Sequence, residues 1–136
     1  MAEISNAAVE RLLLLLSGYS RVISLALSSV SPVSDLGSNA SLVVLCSLEL
    51  DGPRRPGVLQ ELTGLSSGGV SKLLDRMEAT GVVKRAYGGV PGDNRGVLVS
   101  ITRRGHNVLD RFSGAVAAQL PEPRALVKEI SAALDT

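Results

Sequence analysis

Apolar residues recur with helical spacing along most of the chain and alternate strictly in only one region. Residues 4–30 read as one long helix. Ile4, Ala8, Leu12, Leu15, Leu16, Tyr19, Val22 and Ile23 form a broad stripe, with Leu13 and Leu14 outside it. A helix that is apolar nearly all round is buried on more than one side. In a small protein, the second side points to another subunit. The turn-rich "SPVSDLGSN" breaks this helix, and residues 40–50 predict a second one. Ser38 or Asn39 is its candidate cap and "DGP" its stop.

A short helix is predicted over 56–63, with Pro56 in the first turn, where its missing N–H costs little. Gly64 is suited to the left-handed conformation that ends a helix. Ser66 is suited to cap the next helix, which runs to Thr80. In it, Val70, Leu73, Leu74 and Met77 fall at i, i+3, i+4 and i+7. "VVKRAY" and "VLVSI" read as two strands of a hairpin joined by "GGVPGDN". Thr102 is placed to cap a helix whose stripe is Leu109, Phe112 and Val116, and which Pro121 and Pro123 break. A last short helix carries Leu126, Ile130 and Leu134 on one side. The fold class is mainly α with a small β-hairpin. The order short helix, tight turn, amphipathic helix, hairpin is a winged helix-turn-helix.

Composition narrows the function classes. At 136 residues and 45% hydrophobic, the chain reads as one globular domain, spanning 1–136. Its aromatics are Tyr19, Tyr87 and Phe112 alone, so the core is built from aliphatic side chains. Stacking platforms for single-stranded nucleic acid are nearly absent. Cys46, the single cysteine, sits among Val43, Val44, Leu45 and Leu48 and reads as an inert hydrophobe. His106 reads as a surface or capping residue. No metal-ligand spacing, cofactor motif, nucleophile elbow, phosphate loop or paired-carboxylate motif is present, so neither cofactor nor enzymatic activity is expected. The start Met-Ala-Glu-Ile is acidic where a signal peptide would be basic. Arg21 interrupts the apolar run near its middle, which disfavours a membrane span. A soluble, cytoplasmic protein is expected.

The net charge of +1 is uninformative until it is located. Gly52–Gly105 holds nine basic and four acidic residues, a local +5, and the remainder carries −4. A basic middle between acidic ends is an electrostatic face. Opposite the Val70–Met77 stripe lie Ser67, Gly68, Ser71, Lys72, Asp75 and Arg76. Small and polar residues there allow entry into a major groove. Lys72 and Arg76 can reach phosphates or guanine edges. Gly68 and Gly69 each cost a helix roughly 1 kcal/mol relative to Ala, which close approach to a ligand or tight packing would explain. In the hairpin loop, Arg95 is placed to enter a minor groove, and Asp93 can brace it through a charge-assisted hydrogen bond.

"RPGVLQELTGLSSGGVSKLLDRMEATGVVKR" followed by "GDNRGVLVSITRRG" resembles the MarR family of bacterial transcriptional regulators. The diagnostic part is the tip Asp93-Asn94-Arg95, then Val99-Ser100-Ile101-Thr102 and Gly105. The resemblance covers Pro53 to Gly105, and the flanking helices agree only in order and length. It implies a homodimer whose terminal helices (1–37 and 106–136) interleave around a DNA-binding region (38–105). Its partner would be a pseudo-palindromic operator in double-stranded DNA, with half-sites about one helical turn apart. Carried over by position, Ser66, Ser67, Gly68, Gly69, Ser71, Lys72 and Arg76 are recognition-helix contacts, Arg95 the wing contact and Asp93 its brace.

Many members of the family release DNA when a small, often phenolic, effector binds. Tyr19 and Arg21 are the candidates for lining such a pocket, with the core as the competing place for Tyr19. Two other readings stand beside this one: a winged helix that binds protein, and a DNA-binding repressor that takes no ligand.

Overall fold

The structure is a computed structural model that describes residues 3–29, 39–88, 96–119 and 123–135. Among the described residues the elements are α1 (Asn6–Ser29), α2 (Asn39–Asp51), α3 (Pro56–Thr63), α4 (Ser67–Ala79), β1 (Val83–Tyr87), β2 (Val97–Ile101), α5 (Arg103–Gln119) and α6 (Pro123–Leu134). The predicted order holds. Ser5 caps α1, its Oγ accepting from the Ala8 N–H at 3.1 Å, so Ile4 falls before the helix. The first strand starts at Val83, and Val82 is instead buried core. Ser38, Pro121 and the predicted end of the first helix at Val30 lie outside the described residues.

One aliphatic core joins these elements. Val44, Leu45 and Leu48 of α2 meet Leu59, the α4 stripe, Val83, Val99 and the α5 residues Val108, Leu109 and Phe112. Val116 packs half-buried at the rim. The hairpin is antiparallel, with Val83 opposite Ile101 and Arg85 opposite Val99. Arg54 adds a rung that the sequence did not reveal. Its N–H donates to the Val99 carbonyl at 3.0 Å and its carbonyl accepts from the Val99 N–H at 2.8 Å. The segment before α3 is thereby tied to the hairpin.

The hairpin is also latched to α5. Thr102 Oγ1 donates to the Gly81 carbonyl at 2.6 Å and accepts from the Gly105 N–H at 3.0 Å, which makes it the expected cap. The Thr102 N–H donates to the Val82 carbonyl at 3.0 Å. Gly105 is buried against the same peptide. A Cβ there would fall on the Val82 carbonyl oxygen and lie 2.7 Å from Ile101 Cγ1. The Thr-x-x-Gly half of the wing motif therefore has a packing role.

α1 packs on α5 and α6. Ala8 and Ala26 are buried, while Leu12, Leu15, Tyr19, Val22 and Ile23 are half-buried. Ile4 and Leu16, expected on that stripe, are exposed, as are Leu13 at 58% and Leu14 at 70%. Among the described residues, the chain covers only one side of α1. By length and composition alone α1 could cross a membrane, although it carries Arg21. On α6 the buried residue is Ala133, with Leu126 and Ile130 half-buried and Leu134 exposed.

Gly105→Ala should destabilise the fold by about 3 kcal/mol, because backbone rather than a movable side chain blocks the new methyl. Urea denaturation of the variant and the parent measures this.

Candidate nucleic-acid interface

The turn between α3 and α4 is built from local chemistry. Gly64 adopts φ 71°, a left-handed position that favours glycine, and its N–H donates to the Gln60 carbonyl at 2.9 Å. Thr63 Oγ1 donates to the Leu59 carbonyl at 2.8 Å. Ser66 is extended, and its Oγ accepts from the Gly69 N–H at 3.0 Å, satisfying one orphan donor of the α4 terminus. The expected cap, stop and proline positions are all present here.

Burial of Val70, Leu73, Leu74 and Met77 turns the rest of α4 outward. Ser66, Ser67, Gly68, Ser71, Lys72 and Arg76 are all exposed, so the structure gathers these predicted contacts on one surface. Lys72 and Arg76 stand four residues apart on one flank, and their side chains make no hydrogen bond or ion pair with another described residue. On the other flank, Ser67 and Ser71 border a cleft of about 350 Å³ that reaches Arg85, Tyr87 and Val97 of the hairpin.

The two glycines part company. A Cβ on Gly68 would meet nothing within 4 Å. Gly68 therefore presents bare backbone to solvent for no packing reason. A Cβ on Gly69 would lie 3.2 Å from Ser66 Oγ and 3.3 Å from Leu65 Cβ, so Gly69 is small to let the cap close.

Sequence reasoning missed a charged network. Arg85 of β1 reaches back to α4, its guanidinium 2.6 Å from Asp75 Oδ1 and 3.2 Å from Glu78 Oε1. The Arg85 backbone N–H also donates to Glu78 Oε2 at 2.9 Å. That backbone bond, and then the guanidinium, hold the Glu78 carboxyl below its ordinary range. Arg85 was one of nine basic residues in the sequence count, yet its charge is already engaged. The pairing joins separate elements, and the sequence carried no spacing signal for it.

Arg95 and Asp93, the predicted wing contact and its brace, lie outside the described residues. Tyr19 is half-buried and Arg21 exposed. Two positions along a helix turn them about 200° apart, so α1 does not bring them together. Cys46 is half-buried and unpaired, and burial pushes its thiol pKa up, in keeping with an unreactive side chain. His106 is exposed and pairs through Nδ1 with Glu49 Oε1 at 2.6 Å, joining α5 to α2.

This arrangement of helices and hairpin recurs in solved structures. The chain resembles RV1404 from Mycobacterium tuberculosis with a TM-score of 0.72 and 19% identity, over 97% of this chain and 94% of that one. It resembles wild-type MarR from E. coli in its apo form with a TM-score of 0.68 and 24% identity, over 96% and 85% of the two chains. A MarR mutant from E. coli, complexed with operator DNA, aligns with a TM-score of 0.63 and 24% identity, over 90% and 79%. The fold is the MarR-type winged helix. No family model and no curated protein matches the chain. Within this MarR-type frame, α4 is the helix that follows the tight turn, and its outward side stands clear of the core.

Gly68→Ala should raise stability by up to about 1 kcal/mol, since the helix gains a better former in open space. Gly69→Ala should bring no gain, because its methyl presses on the cap. Chemical denaturation of the two variants separates the cases.

Proposed function

We propose that the chain is a sequence-specific transcriptional regulator, a repressor, that binds duplex DNA as a homodimer. The observation that carries this reading is the outward side of α4: exposed, small or basic, with the Lys72 and Arg76 side chains unpaired among the described residues. α4 enters the major groove. Backbone N–H groups near Ser66, Ser67 and the bare Gly68 approach phosphate, and Lys72 and Arg76 reach phosphates or guanine edges. Arg95, held by Asp93, enters the adjacent minor groove. The operator complex of the E. coli MarR mutant supports a DNA partner for a chain of this fold. DNA as partner implies a cytoplasmic protein.

The exposed leucines of α1 support the dimer. Leu13, Leu14 and Leu16 together form more apolar surface than a scattered surface residue does. A second copy covers them, giving two α4 helices for a pseudo-palindromic operator. A small-molecule effector that releases DNA belongs to the same reading. Tyr19 and Arg21 of α1 are the candidates for lining its pocket.

Fluorescence-anisotropy titration against duplex DNA from the chain's own upstream region tests this, at two salt concentrations and with a scrambled duplex as control. The reading expects salt-sensitive binding about a thousandfold tighter than the control. Binding no better than the control, with that duplex and with duplexes selected from random DNA, points to a protein-directed winged helix. Lys72→Ala should weaken binding by about 1–3 kcal/mol, uniformly across sequences for a phosphate contact and at one base pair for base readout. Arg95→Ala should lower the salt slope by about one counterion. Leu14→Asp should shift the protein from dimer to monomer in sedimentation velocity.

A further inference from the structure

Asp75 is the one acidic residue on the crest of the outward side of α4. Its side chain is 61% exposed, and Lys72, one turn before it, and Arg76, the next residue, stand beside it. An open carboxylate there would face incoming phosphates and oppose both basic side chains. It is not open. Arg85 crosses from β1 and closes on it, with Glu78 holding the guanidinium and the Arg85 backbone from the same helix. The Arg85 side chain is only 17% exposed.

We infer that Arg85 is a positioning residue for DNA binding: it shields Asp75 and Glu78 and ties α4 to the wing strand, and it does not itself contact phosphate. This rests on the DNA-binding reading. It divides the basic residues of the α4 region into two kinds. Lys72 and Arg76 meet the nucleic acid, and Arg85 pairs with the two carboxylates that would repel it, its one positive charge leaving the five side chains net positive. The helix then presents a net positive edge, although by count its two basic and two acidic residues cancel.

The test uses the full chain and the duplex selected by the wild-type protein. Arg85→Met should bind it about tenfold more weakly or worse, because like charges set against each other across an interface are costly. Adding Asp75→Asn and Glu78→Gln to that variant should recover most of the loss, since nothing remains to be shielded. The triple variant should also keep the wild-type salt slope. A triple variant that stays as weak as Arg85→Met, or whose salt slope falls by about one, makes Arg85 a phosphate contact and overturns the proposal. Should Arg85→Met fail to fold, the salt slope of the triple variant decides alone. Lys72→Ala runs alongside. Unchanged binding in that variant, or wild-type binding no better than a scrambled duplex, means that the DNA-binding reading has failed, and the role of Arg85 falls with it.

Discussion

Val70, Leu73, Leu74 and Met77 lie buried along one side of α4, and their seating in the core decides which side of that helix meets solvent. Each contributes about 2 kcal/mol on leaving water. The core that receives them is almost wholly aliphatic, with Phe112 its one aromatic member. Elements on both sides of α4 in sequence build it, α2 and α3 from one direction and the hairpin and α5 from the other. The helix is thereby held along its length, and its serines, Gly68, Lys72 and Arg76 are carried outward on a fixed platform. A loop would present the same residues with more freedom and a larger entropy cost on docking.

The hairpin is held as firmly at its base. Thr102 and Gly105 fasten the end of β2 to the end of α4 and the start of α5, and Arg54 adds a rung from the segment before α3. The wing motif thus divides into two parts. Its Thr-x-x-Gly part is a joint, explained by hydrogen bonds and by the lack of room for a Cβ. Its Asp-x-Arg part, Asp93 and Arg95, lies outside the described residues and carries the proposed wing contact. Arg85 ties β1 to α4 through Asp75 and Glu78.

α1 poses the opposite problem, an apolar helix that the described residues leave partly uncovered. α5 and α6 account for one side only. The same composition satisfies a membrane-span criterion, which shows how little length and hydropathy say about where a helix is buried. In the proposed homodimer a second copy of the chain would cover the excess without moving Arg21 out of water.

Much of this architecture was legible in the residues themselves. Helix starts and stops are local: Pro56, Gly64, Ser66 and Thr102 act within three or four positions of where they stand. The i, i+3, i+4, i+7 stripe named the buried side of α4 for the same reason, and with it the outward residues. What only the tertiary structure decided depends on groups distant in sequence. The Arg54 rung on Val99, the Arg85 bridge to Asp75 and Glu78, and the His106 contact with Glu49 join separate elements and follow no period. So does the division of the two glycines, which look alike in "SSGGV" until Leu65 and Ser66 close on one and leave the other bare. Local propensity and periodicity are properties of a stretch of chain, whereas pairing of charges and exclusion of volume belong to the packed molecule.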